Sequence, residues 1–218
     1  MNSDRLLFET KKMPWVVASP GVEVKRLSPT DEKDRHTTTM IRLAPGATLS
    51  HPPDGSGREV IVLEGDWITE AGALHAEAYS RQPTNRVGSS STEHGCTLFV
   101  EDGPFAIHDQ EVVHSRINEL TWVPGNGNLK VKPLHSYETT GAALVLWPAG
   151  ERFVPHQHWG GEEILVLSGT FIDEHGRYPV GTWLRSPHMS SHHPFVEKET
   201  VIFVKTGHLL PRADSIAT

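Results

Sequence analysis

The chain repeats itself, and this limits its architecture more than any other feature. Gly46 through Val100 lie beneath Gly150 through Val204 at an offset of 104 residues, with no gap. Arg58-Glu59-Val60-Ile61-Val62-Leu63-Glu64-Gly65 matches Glu162-Glu163-Ile164-Leu165-Val166-Leu167-Ser168-Gly169. Trp67-Ile68-Thr69-Glu70-Ala71-Gly72 matches Phe171-Ile172-Asp173-Glu174-His175-Gly176, and Arg81-Gln82-Pro83 matches Arg185-Ser186-Pro187. Upstream the offset becomes 107: Trp15 meets Trp122, and Val24-Lys25-Arg26-Leu27 meets Val131-Lys132-Pro133-Leu134. The three-residue difference falls in the polar stretch Thr30 to His36, which reads as a loop insertion.

Each repeat reads as strands. Val60-Ile61-Val62-Leu63 and Ile164-Leu165-Val166-Leu167 are short β-branched and leucine-rich runs closed by a glycine, as buried strands are. Val22-Glu23-Val24-Lys25 and Leu129-Lys130-Val131-Lys132 alternate apolar and polar, as half-exposed strands do. Turn signals recur at Pro45-Gly46, Pro124-Gly125-Asn126-Gly127 and Pro179-Val180-Gly181, within a chain of 19 glycines and 16 prolines. One short helix is predicted around His108 to Asn118, joining the repeats. The expectation is an all-β protein of two tandem β-barrels or jelly-roll sandwiches. Their expected bounds are 1–103 and 119–207, with a linker at 104–118 and a tail at 208–218.

Charge and composition exclude several classes. The formal net charge is −7, and no basic run of five residues marks a nucleic-acid surface. Cys96 is the single cysteine, so an internal disulfide is impossible and a cysteine-based zinc site nearly so. Met1 to Phe8 lack the apolar core of a signal peptide, and no apolar run approaches the roughly 20 residues of a membrane span. A soluble cytoplasmic protein is expected, as a monomer or homodimer. Cys96 itself, matching Thr200, reads as a small half-buried strand residue.

The 14 histidines matter through their spacing. In Pro155-His156-Gln157-His158-Trp159-Gly160-Gly161-Glu162, two histidines at i and i+2 share one strand face. In a small barrel that face points inward, where two imidazoles need partners. Gly160-Gly161 permits a tight turn that brings Glu162 back as an oxygen ligand. A fourth ligand from a distant strand has three candidates in Pro187-His188-Met189-Ser190-Ser191-His192-His193, namely His188, His192 and His193. Three neutral nitrogens and a carboxylate suit zinc, iron, nickel, manganese or copper.

This segment resembles the cupins. Gly150, five residues, His156-Gln157-His158, three residues, Glu162, six residues and Gly169 match the first cupin motif. Pro187, four residues and His192 match the end of the second, with Met189 where a glycine is usual. The wording from His156 through Phe171, with Asp173-Glu174-His175-Gly176 and Tyr178 to Trp183, resembles the cupin-like domain of ChrR-type anti-sigma factors. It is also similar to small cupin dioxygenases that cleave diketones and hydroxyketones. The resemblance implies one divalent metal ion per chain, zinc or iron first, nickel or manganese next. Its ligands would be His156, His158, Glu162 and His192. It also implies that the duplicated chain carries its dimer partner covalently.

The first repeat keeps none of these ligands. The four positions fall on Pro52, Asp54, Arg58 and Gly88, and His51 is one place out of register. Glu163 recurs as Glu59 without the ligands, which favours a structural role, as does the pairing of Arg185 with Arg81. Phe153, Trp159, Trp183 and Phe195 could shape an apolar pocket or simply fill the barrel, and Tyr178 or Arg185 could orient a substrate. ChrR proteins grip a sigma factor through a separate domain with a His-x-x-x-Cys-x-x-Cys segment, which this sequence does not contain. Three functions follow: a dioxygenase acting on a small carbonyl compound, a ChrR-like regulator, or a sensor that binds a small ligand without turnover.

Overall fold

The computed structural model describes residues 5–28, 36–50, 56–85, 88–103 and 105–210. The described residues form strands, turns and two single-turn 3-10 helices, Thr10–Lys12 and Ile117–Glu119. No helix among them is long and apolar enough to cross a membrane. The chain divides into two compact units. One comprises Met1–Met13 with Thr121–Thr218, and the other Pro14–Leu120.

The larger sheet of the unit holding Thr121–Thr218 has seven strands. Their order is Leu6–Glu9, Thr182–Ser186, Glu162–Ser168, Thr200–Thr206, Thr140–Trp147, Lys130–Tyr137 and Val123–Pro124. Two short pairs complete it: His156–Gln157 with Ser191–His192, and Thr170–Asp173 with Gly176–Pro179. The other unit repeats the main sheet with Val113–Arg116, Ala78–Gln82, Gly57–Thr69, Cys96–Gly103, Thr37–Leu43, Val22–Arg26 and Val16–Ser19.

The duplication read in the sequence recurs as strand register. Cys96 faces Leu43 as Thr200 faces Trp147. Arg58 faces Gln82 as Glu162 faces Ser186. Val113 faces Arg81 as Leu6 faces Arg185. The strand runs Val60–Leu63, Ile164–Leu167 and Val22–Lys25 all lie in strands. Pleating then sorts each strand into faces. Ile164 and Val166 enter a core with Trp147, Phe171, Tyr178, Leu184 and Ile202. Val60 and Val62 enter the equivalent core with Trp67, Leu98 and Val100. Each such side chain contributes roughly 1.5–3 kcal/mol by leaving water.

Two expectations are corrected. No helix forms around His108 to Asn118: Val113–Arg116 is a strand, followed by the 3-10 turn. The strand Ala78–Gln82 offers an unpaired edge there, and its backbone bonds outweigh a weak local helix signal. The boundaries shift for the same reason. Residues 1–13 join the second unit because Leu6–Glu9 adds to the edge strand Thr182–Ser186, while the expected linker adds a strand to the first. The insertion from Thr30 lies outside the described residues except for His36, as do His51, Pro52 and Asp54.

Candidate metal centre

His156 stands on a two-residue strand paired with Ser191–His192, and His156 faces His192 directly. His158 follows on the same side. The three imidazole rings form a triangle with centroids 4.7 Å (His156–His158), 4.8 Å (His156–His192) and 4.8 Å (His158–His192) apart. Gly160 and Gly161 adopt φ of +74° and +73°. A Cβ on Gly160 would lie 2.6 Å from the Gly207 backbone, so the turn requires glycine there. The chain then enters the strand Glu162–Ser168 with Glu162 on the core face beside Ile164. Glu162 Oε2 lies 3.5 Å from His158 Nε2 and 3.7 Å from His192 Nε2. One ligand atom from each of the four residues lies within 4.8 Å of the others.

The electrostatics of this cluster are those of an unpartnered site. His158 Nε2 and Glu162 Oε2 are buried and make no hydrogen bond. Such atoms are expensive unless something satisfies them. Burial, with His192 and His156 alongside, pushes the His158 imidazole down to about 3. Burial likewise lowers His156. Burial raises the Glu162 carboxyl to about 7, against the pull of His192 and Arg5. A divalent cation suits neutral imidazole nitrogens and a carboxylate oxygen together. The donor set therefore fits such an ion.

The surrounding shell fixes ring orientation. His156 Nδ1 lies 3.1 Å from the Val154 carbonyl oxygen, leaving Nε2 for the centre. His192 Nδ1 lies 3.5 Å from Asp173 Oδ2. Asp173 also accepts from Arg5 Nη2 at 2.6 Å and from the Tyr178 hydroxyl at 2.7 Å. Its Oδ1 takes the turn amides of His175 and Gly176 at 2.8 and 3.2 Å. Burial alone would raise Asp173, but the bonds from His192, Arg5 and Tyr178 hold it well below the usual carboxylate range. Asp173 and Arg5 escaped the sequence reading as site residues. Asp173 stands in the sequence only as part of the Asp173-Glu174-His175-Gly176 segment, and Arg5 is more than 150 positions from the histidines with which it lines the cavity.

The other candidates sort by contact. His188 Nδ1 accepts the Gly160 amide at 2.9 Å, and His193 is exposed. Glu163 faces away from the centre and accepts from Trp183 Nε1 at 3.0 Å and Arg185 Nε at 2.7 Å. Arg185 and Trp183 thus hold the sheet. Tyr178 holds Asp173. Phe153 meets His156 edge-on at 5.0 Å, and Phe195 lies under Arg152 at 4.5 Å. Trp159 is exposed against His188. Met189 has φ +64°, which explains why a glycine suits that position. An open cavity of about 490 Å³ leads to the centre, lined by Arg5, His158, Ser190 and His192 among others.

Known proteins agree on the architecture. Among solved structures, Ylba from E. coli superposes with a TM-score of 0.75 at 13% identity, covering 94% of this chain and 92% of that one. A protein of Nostoc punctiforme described provisionally as a dioxygenase has a TM-score of 0.75 at 14% identity, covering 98% and 86%. Oxalate decarboxylase from Lactobacillus farciminis has a TM-score of 0.66 at 12% identity, covering 94% and 87%. At such identities the likeness is one of fold. No curated protein sequence matches the chain. The family model described as the ChrR cupin-like domain matches twice, at residues 3–106 and 110–210. Matched over both halves, the chain belongs to the ChrR cupin-like domain family and is built of two tandem cupin barrels.

Proposed function

We propose that the second barrel is a mononuclear divalent-metal centre, held by His156, His158, Glu162 and His192, that acts on a small carbonyl compound as a dioxygenase. One observation carries the reading: His158 Nε2 and Glu162 Oε2 are buried, close and without partners. A bound ion would supply Lewis acidity to a chelated carbonyl and, if it is iron, electrons for dioxygen. The chain's own groups do the rest. Asp173 fixes His192, the Val154 carbonyl fixes His156, and the cavity admits a small molecule beside them. Zinc and iron are the leading ions, nickel and manganese the next. The cytoplasm is the proposed location, in keeping with a lone buried cysteine.

The test is elemental analysis of untagged protein before and after anaerobic loading with ferrous iron, with oxygen uptake followed on small diketones. The expected result is about one iron per chain and substrate-dependent uptake. Tightly held zinc without uptake after iron loading would favour the second reading, a ligand sensor without turnover, which the ChrR-type family match supports. Absence of any bound metal would remove both.

A further inference from the structure

We infer that Arg5 makes the centre selective for a carboxylate-bearing chelate, a 2-oxo acid, over an uncharged diketone of the same shape; this rests on the metal reading above. Arg5 sits just before the strand Leu6–Glu9, whose register with Thr182–Ser186 carries it to the cavity that His158 and His192 also line. Its guanidinium is only partly employed. Nη2 bonds Asp173, the Tyr178 ring lies 5.1 Å beneath, and Nε is buried without an acceptor. The Ser190 hydroxyl, on the same cavity, is also buried without a partner. An anionic ligand satisfies both donors, and a planar guanidinium suits a carboxylate through paired N–H bonds.

Charge points the same way. With a divalent ion in place, Glu162 and Asp173 would offset its two charges, and Arg5 would leave the cavity with one net positive charge. A monoanion neutralises it, and a diketone does not.

Pyruvate and butane-2,3-dione form a matched pair, differing by a carboxylate in place of an acetyl group. Their binding to zinc-saturated protein would be measured by calorimetry, with bound zinc counted by elemental analysis. Wild-type protein is expected to bind pyruvate at least tenfold more tightly. In Arg5→Gln the ratio of pyruvate to diketone affinity, per bound zinc, should fall about tenfold. Arg5→Lys, which keeps a cation beside Asp173, should retain most of the preference. Equal affinities in wild-type protein would overturn the inference and leave the metal reading intact. So would an Arg5→Gln variant that loses affinity for both ligands alike, because a guanidinium that only holds Asp173 behaves that way. Wild-type protein that takes up no zinc overturns the metal reading and the inference with it.

Discussion

The two barrels share a register and differ in what they place at equivalent positions. Where the second has Glu162, the first has Arg58, on the same face as Val60 and Val62. Arg58 donates from Nε and Nη2 to Asp102 at 2.7 and 2.9 Å, and from Nη1 to the Ser50 carbonyl at 3.1 Å. Where the second has His192, the first has Gly88, on which a Cβ would come within 2.6 Å of Glu70 Oε1. Arg5, Asp173 and Tyr178 are answered by Val112, Thr69 and Leu74. At the position of Glu162 the first barrel places an ion pair. The second keeps Glu162 Oε2 and the neighbouring His158 Nε2 buried and unanswered. A fold tolerates such groups where they serve a function and carries their cost elsewhere.

The largest effect should come from the histidines. His158→Ala is expected to remove most bound metal, since it deletes a ligand and nothing nearby replaces it. Asp54→Ala, at the equivalent place in the first repeat, should leave the metal content unchanged. Elemental analysis of the two variants decides this, and equal losses would mean that the repeats are misassigned.

Stability of the metal-free protein should reverse the comparison. Arg58→Ala strands the partly exposed Asp102, and chemical denaturation should show a loss of about 1.5–3 kcal/mol. Glu162→Gln should instead stabilise. Its carboxyl titrates near 7 in the fold and 4.5 when unfolded, so the unfolded state ionises first as pH rises. The Glu162 contribution is therefore favourable below pH 4.5 and is lost as pH climbs through 7. In EDTA, Glu162→Gln should exceed wild type by about 3 kcal/mol at pH 8, and by only about 1 kcal/mol at pH 5.5. A gap that does not change with pH would mean that Glu162 is already partnered without metal.

Most of the barrel architecture was legible because duplication and alternation are local properties of a string. The four clustered donors were legible because three of them lie at 156–162, with one distant member at 192. The edge strands were not. Val113–Arg116 and Leu6–Glu9 are strands only because an edge awaits them, and that edge belongs to residues far along the chain. The Asp173 shell was missed for a subtler reason. Its residues stand out only where the two repeats disagree. Asp173 against Thr69 and Tyr178 against Leu74 were both readable in the aligned sequence. Arg5 against Val112 needed the upstream offset as well.

That disagreement supplies the smallest and most specific test. Thr69 Oγ1 accepts the Ala71 amide at 3.2 Å, just as Asp173 Oδ1 accepts the His175 amide at 2.8 Å, so both residues stop the same turn. Only aspartate has a second oxygen to meet His192 and Arg5. Asp173→Thr should therefore keep the turn and the fold while freeing the His192 ring. Partners of this kind are worth about 10–100-fold in metal affinity. Competition against a chelator should show a loss in that range, with the circular dichroism spectrum of wild type. A variant that binds metal as tightly as wild type would mean that the barrel walls alone hold His192, and that Asp173 serves the turn as Thr69 does.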